Sequence, residues 1–253
     1  MATIRTWADF FTQPAGQTVL AWEAAAYGAV VRNKLGDRAI QLGLEPIDTL
    51  SASPITHRVL VTDNIVAQGA HDLRVPLVAE EWALPLANEC ADLVVWPYGF
   101  DRNRENFRDV LAEIERILEP NGLLVTTLFN TTGCWCLRSK VLHTRSILPD
   151  HAACVPMNTA KLALMESKLA IEGGCFGVYG INPHCYETAK DDRLPTWVDK
   201  AGDRWWPSLS NVILLVARKK THGMTLVGKV AFNKSTAKTA ATALAQKHAD
   251  KPL

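Results

Sequence analysis

Between Leu84 and Asn130 the residue pattern leaves little choice of fold. Leu84-Pro85-Leu86 leads to Ala91–Trp96, an apolar run with a single acid, Asp92. Such a run between turn signals predicts a strand covered on both faces. Phe107, Val110, Leu111, Ile114, Ile117 and Leu118 then recur at spacings of three, four and seven, one stripe on one helix face. Asp109, Glu113, Glu115 and Arg116 fall off that stripe, and Asn103 and Glu105 suit a helix start. Pro120 cannot continue the helix, and Asn121-Gly122 tolerates the positive φ of a tight turn. Leu123–Leu128 is a second buried strand. Strand, helix and strand form a βαβ unit, whose crossover is right-handed onto a parallel sheet.

The rest of the chain extends that sheet. Residues 5–16 carry Trp7, Phe10, Phe11, Pro14 and Gly16, a lid or edge segment that packs rings onto the body. Residues 17–34 predict a helix with Leu20, Ala24, Tyr27 and Val31 on one face, ended by Gly36-Asp37. Strands are expected at 38–43, 57–63 and 74–79, with room for only a short helix between Pro46 and Ser53. Residues 158–172 predict a helix along Leu162, Met165 and Leu169, stopped by Gly173-Gly174. A sixth strand follows at 175–181, and a last strand at 211–218. Residues 182–210 form a long connection with Trp197 and Arg204-Trp205-Trp206-Pro207, suited to covering a substrate mouth. The domain reading is one α/β domain over residues 1–220 and a basic, flexible tail over 221–253.

Leu84-Pro85-Leu86, Ala91-Asp92-Leu93-Val94-Val95 and Glu115-Arg116-Ile117-Leu118-Glu119-Pro120-Asn121-Gly122 resemble the central half of class I S-adenosylmethionine-dependent methyltransferases. Phe129-Asn130, followed by Trp135, Leu137 and Arg138, is similar to their small bacterial, type 11-like branch. The resemblance covers roughly residues 35 to 220, most specifically 78 to 138. It implies a Rossmann-like, doubly wound sheet of seven mostly parallel strands with an antiparallel seventh. It also implies S-adenosylmethionine as cofactor and methyl transfer to an acceptor the sequence does not name.

The same resemblance assigns site residues. The family's acid-x-Gly-x-Gly-x-Gly turn follows the first strand, where a Cβ would block the ligand. Here Gln41 stands at the acidic position, Gly43 is the glycine that remains, and Leu44 and Glu45 occupy places of small residues. Gln41 can accept a hydrogen bond but cannot neutralise an ammonium; Gly43 also reads simply as a turn. Asp63 lies 20 residues after Gly43, where an acid holds ribose hydroxyls, although a surface turn at Asp63-Asn64 explains it equally. Glu80 matches the acid placed near adenine, and its neighbour Glu81 supplies a backbone N–H. Trp82 stacks on adenine or is core. Pro97 and Tyr98 end the fourth strand beside the transferred methyl group. The Tyr98 hydroxyl could orient an acceptor amine or hydroxyl; the alternative is a strand-ending Pro with a half-buried Tyr.

Totals narrow the function further. Of 253 residues, 48% are hydrophobic and 21% charged, which excludes global disorder. No apolar run approaches the roughly 20 residues that span a bilayer. Met1–Phe10 has one Arg and no signal-peptide core, so a cytoplasmic protein with reduced cysteines is expected, with no membrane partner. Cys134-Trp135-Cys136 lacks the spacing and second pair of a structural zinc site, and no metal is expected. Gly-x-Gly-x-x-Gly is absent, which argues against a nicotinamide oxidoreductase. From Arg218 onward eight Lys/Arg face one acid, Asp250, so a net charge of +1 hides a basic end on an acidic body. That end reads as a solvated terminus or as a contact for RNA or protein. The second function class is therefore a non-catalytic descendant of the fold that binds a protein or RNA partner.

Overall fold

Buried parallel strands dominate the architecture, as the apolar runs require. The structure is a computed structural model that describes residues 6–63, 72–137, 148–149, 152–179 and 209–220. Its elements are α1 (Trp7–Thr12), α2 (Pro14–Val31), β1 (Arg38–Leu42), β2 (His57–Thr62), β3 (Val75–Val78), β4 (Ala91–Trp96), α3 (Gly99–Arg102), α4 (Phe107–Ile117), β5 (Leu118–Phe129), α5 (Met157–Glu166), β6 (Leu169–Gly177) and β7 (Val212–Lys219). They form one seven-stranded sheet in the order β3-β2-β1-β4-β5-β7-β6. Strands β3, β2, β1, β4 and β5 run parallel, and β7 is antiparallel to both β5 and β6. Strand order reverses between β1 and β4, so the sheet's ligand crevice lies outside their carboxyl ends.

Alternation along the central strands feeds two cores. Val94 and Leu124 pack with Val110, Leu111, Ile114 and Ile117 of α4 and with Ala160, Ala163 and Leu164 of α5. Leu93, Val95 and Val125 pack on the opposite face with Tyr27 and Val31 of α2 and with Leu50 and Ile55. A third cluster closes one end of the sheet: Phe10, Phe11 and Val19 meet Tyr98, Phe129 and Trp135. The aromatic segment predicted near the N-terminus does pack onto the body. Thr6 and Asp9 start α1 with a reciprocal capping box.

Several sequence expectations need correction. The predicted α4 start at Asn103 and Glu105 gives way to an N-cap at Asn106, because Gly99–Arg102 already forms α3 and Asn103 caps its C-terminus. In β5 pairing begins at Leu118, opposite Ala91, skips over the Glu-Pro-Asn-Gly turn and resumes at Leu123 opposite Leu93; Asn121 takes φ +66°. Residues 44–56 form turns without a helix. In α2 the buried face runs through Val19, Glu23, Tyr27 and Val31, and Ala24 is exposed.

The second half departs further. Helix α5 ends at Glu166, with Ser167 as its cap and Lys168 beyond it in left-handed geometry, and buries Ala160, Ala163 and Leu164, whereas Leu162 and Met165 are exposed. Gly173 and Gly174 do not stop a helix; they lie inside β6, which starts at Leu169. Pairing with β7 overrides the helical pattern. The register slips between Ile171 and Gly173, and Glu172 at the slip pairs with Arg218. A Cβ at Gly174 would run into the Leu214 carbonyl oxygen, so glycine is needed where the strands approach. Strand 175–181 reaches only Gly177 in β6. Arg138, His143, His151, Cys185, the tryptophans at 197, 205 and 206, and the tail 221–253 lie outside the described residues.

The face assignment of α5 is testable. Leu164→Ala should cost about 2–5 kcal/mol in urea unfolding, as deletion of a packed leucine does. Leu162→Ala should stay within about 0.5 kcal/mol.

Candidate functional site

The turn after β1 decides what can lie in the crevice. Gly43 has φ +65° and Leu44 φ +51°, two left-handed residues in succession. Glycine adopts this freely, whereas leucine does so at a cost of roughly 1–2 kcal/mol. Gln41, wholly buried, holds the turn. Its Nε2 donates to the carbonyls of Gly43 (3.1 Å), Leu44 (3.1 Å) and Ile47 (2.7 Å). Its Oε1 accepts from the Thr49 N–H (3.2 Å), the Thr49 hydroxyl (2.9 Å) and Arg74 Nη1 (2.7 Å). Arg74, buried at the start of β3, also donates to the carbonyls of Ile47 and Glu45 and pairs with Asp72. Hydrogen bonding to Arg74 keeps the Asp72 carboxyl below its usual range. Gln41 is thus spent on the loop.

The hollow above Gly43 is filled by two side-chain ends. Arg102 of α3 reaches back over the crevice, where Nη2 donates to the Leu42 carbonyl (3.0 Å) and Nε to the Pro97 carbonyl (3.3 Å). It pairs with Glu81 Oε1 at 2.7 Å. Glu81 Oε2 accepts from Trp96 Nε1 and from Asn103 Nδ2, both at 2.8 Å. A Cβ on Gly43 would lie 2.5 Å from Arg102 and 2.6 Å from Glu81. One ion pair therefore bridges the carboxyl ends of β1 and β4.

The predicted residues divide accordingly. Gln41, Gly43, Leu44, Glu81 and Pro97 converge at the crevice. Glu81, through its side chain, reaches the site, while Glu80 is exposed in a turn and its carbonyl accepts from the Ala83 N–H. Asp63 stands exposed at the carboxyl end of β2 and Trp82 is 43% exposed at the rim, not in the core. Glu45, expected only to crowd the turn, accepts from the Thr62 hydroxyl at 2.5 Å. Arg102, Asn103 and Arg74 were not foreseen. A cavity of about 210 Å³ opens elsewhere, between α2 and residues 46–52, and its lining includes neither Gly43 nor Tyr98. Among the described residues no group of three or more metal-ligating side chains occurs.

Tyr98 lies deeper, fully buried rather than half-buried. It takes φ +49° between Pro97 and α3, and this left-handed geometry turns its ring beneath α1. The ring centroid is 4.6 Å from Phe129 and 5.1 Å from Trp7. Its neighbours include a charged residue that periodicity hid, Glu23 of α2, also wholly buried. Tyr27 joins them through a hydroxyl bond of 2.9 Å to Thr127, whose hydroxyl also accepts from the Tyr98 N–H. The Tyr98 and Thr127 hydroxyls lie close enough to hold the Glu23 carboxyl down in part. Neither Glu23 oxygen nor the Tyr98 hydroxyl completes a hydrogen bond of ordinary geometry. Burial dominates and pushes Glu23 up to about 8. Nearby Asp101 is buried too, and burial raises it to about 7 against N–H donors from Phe129, Val155 and Cys154.

Comparisons with solved structures agree with the topology. The chain matches a methyltransferase from Thermotoga maritima with a TM-score of 0.60 at 12% identity, covering 85% of this chain and 94% of that one. It matches a chain of the Haloferax volcanii complex between the Trm112 methyltransferase activator and a methyltransferase, with a TM-score of 0.57 at 16% identity, covering 85% and 96%. A geranyl diphosphate methyltransferase in complex with S-adenosylmethionine gives 0.52 at 14%, covering 79% and 85%. The chain has the class I methyltransferase fold. No protein-family model and no curated protein matches the sequence.

The buried carboxyl gives a pH prediction. Between its ordinary value of 4.5 and about 8, Glu23 in the folded protein keeps a proton that the unfolded chain has released. Stability therefore falls as pH rises through that window, by up to ~1.4 kcal/mol per unit. Asp101 adds to the slope only up to about pH 7. Urea unfolding should show wild type losing roughly 1 kcal/mol from pH 7 to 8. Glu23→Gln should be nearly flat there.

Proposed function

We propose that the protein is an S-adenosylmethionine-dependent methyltransferase whose donor crevice is drawn here in a closed state. The observation that carries this reading is what lies nearest above Gly43: the ends of two flexible side chains, Arg102 and Glu81. In the closed arrangement the donor does not fit above Gly43. Rotating the pair outward removes the obstruction without moving a strand. Both side chains keep some contact with water, 17% exposed for Arg102 and 12% for Glu81, and Glu81 keeps Trp96 and Asn103 as partners when the pair parts.

The residues around an opened crevice suit the donor. Gly43 offers backbone without a Cβ, Glu81 offers a carboxylate to a cationic group, Asp63 stands at the β2 end where ribose hydroxyls are held, and Trp82 offers a ring face at the rim. Bound there, the sulfonium supplies a methyl group already activated for transfer. The protein's part is alignment and exclusion of water. Tyr98, aimed beneath α1 beyond the β4 end, is placed to orient an acceptor.

One observation favours a second reading. Gln41 replaces the family's acid and turns wholly inward, so the post-β1 turn is held by its own network and needs no ligand. A non-catalytic protein of this fold, acting through a protein or RNA partner, would keep that network. One matched structure is a complex with a protein activator, and the basic tail offers charge for either partner.

Calorimetry with S-adenosylhomocysteine separates the two. The methyltransferase reading expects binding by wild type, and tighter binding by Arg102→Ala. The gain should be about tenfold or more, the scale of releasing one charge-assisted hydrogen bond. Absence of heat with both proteins removes the methyltransferase reading. Asp63→Ala should weaken binding by ~1.5–3 kcal/mol.

A further inference from the structure

Glu23 is a costly residue to leave where it is. A carboxyl removed from water needs partners for its oxygens, and proteins of this size leave few such groups unmet. Neither Glu23 oxygen nor the Tyr98 hydroxyl completes a hydrogen bond of ordinary geometry, although the Tyr98 and Thr127 hydroxyls lie near enough to hold the carboxyl down in part. Three side chains crowd the pair without satisfying it. Tyr27 and Thr127 spend their hydroxyls on each other. Arg102, the cation whose field reaches Tyr27, is committed to Glu81 and two carbonyls. The fold places an acid in the core, and among the described residues no base pairs with it.

What surrounds Tyr98, beside this acid, is aromatic. Tyr98 packs at 4.6 Å on Phe129 and 5.1 Å on Trp7, Trp7 stacks on Phe129 at 5.8 Å, and Phe11 closes the side at 6.5 Å from Tyr98. Ring faces are electron-rich and attract cations, the more so away from water. A buried carboxyl and hydroxyl without well-made hydrogen bonds, and the rings packed on that tyrosine, share one chemical preference: a small organic cation that donates N–H bonds to the oxygens and lays its methylenes on the rings.

We propose that Glu23 and Tyr98, beneath the aromatic residues of α1, form a binding site for an organic amine, with the ammonium held between the Glu23 carboxylate and the Tyr98 hydroxyl. Entry is from the α1 side. That helix is six residues long, is capped by its own Thr6 and Asp9, and covers the site through Trp7, Phe10 and Phe11. The site lies beyond the carboxyl end of β4, next to the crevice above Gly43 but built from other residues. Under the methyltransferase reading it is the acceptor's place and the acceptor is an amine. As a binding site it does not need that reading.

The probes are methylammonium, tetramethylammonium and benzylammonium, with benzyl alcohol as the uncharged shape control. Each is titrated into the full-length protein, with and without S-adenosylhomocysteine. At least one ammonium should bind and raise the melting temperature, and benzyl alcohol should not. Glu23→Gln should lose that binding at least tenfold while keeping its fold and its response to S-adenosylhomocysteine. Difference infrared spectra add a readout that packing alone would not move. The carbonyl band of a protonated carboxyl, present in wild type and missing in Glu23→Gln, should disappear when the amine binds. If no ammonium binds in either state, or if Glu23→Gln binds it as well as wild type, the proposal is overturned. Absence of S-adenosylhomocysteine binding, with amine binding intact, would overturn the methyltransferase reading instead.

Discussion

The amide of Gln41 is the contact on which the site's geometry depends. Three carbonyl oxygens, those of Gly43, Leu44 and Ile47, converge on its nitrogen, while Thr49 and Arg74 donate to its oxygen. An acid could serve the second group but would repel the first, because a carboxylate has no proton for three carbonyls. An alanine would take this partner from all of them inside the protein, although Arg74 would still serve the Ile47 carbonyl and the Ile47 N–H that of Leu44. The neutral amide is therefore what a loop with inward-facing carbonyls requires. A glycine-rich turn leaves its backbone open to a ligand; this turn is closed on its own side chains, and Leu44 can tolerate a left-handed geometry there because the network holds it.

Closing the loop has consequences for its neighbours. Arg74 is drawn from the start of β3 to complete the network, which ties the third strand to the first across β2. With the turn fixed, the only room left above Gly43 is the width of a side-chain contact. Arg102 and Glu81 take it, and Asn103 and Trp96 hold Glu81 from behind. Access to the crevice is governed by rotamers of two residues rather than by motion of the sheet.

The sheet was legible in the sequence because its signals are local. Apolar runs such as Leu93–Val95 and Leu123–Val125 mark strands covered on both faces, and Pro120-Asn121-Gly122 marks the turn inside β5 between Leu118 and Leu123. Helix faces were less legible wherever hydrophobicity misled. In α5 the exposed residues are Leu162 and Met165, and small alanines do the packing. In α2 an acid sits on the buried stripe, where a hydrophobic pattern excludes it in advance. Gly173-Gly174 reads as a helix stop on local chemistry, but pairing of β6 with β7 settles it, a contact between residues some forty positions apart. The site was legible at strand ends: Gln41, Gly43, Pro97 and Tyr98 follow from where β1 and β4 stop. Its ion pair was not. Glu81 and Arg102 are 21 positions apart on different elements, with no periodicity to join them, and the choice between Glu80 and Glu81 depends on a turn whose direction the sequence does not state.

Two acids near the same crevice show how burial separates structure from function. Glu81 keeps some contact with water and has partners for both oxygens, so its charge is answered where it sits. Glu23 is wholly buried with no base paired to it among the described residues, and it stays in the core by keeping a proton to about pH 8. A glutamine or leucine in its place would relieve that cost at once. The proposed amine site is one reason for a costly residue to stand there, in a chain that needs only to stay above a stability threshold. Its position, between a strained tyrosine and a short aromatic helix at the end of β4, says where that reason acts.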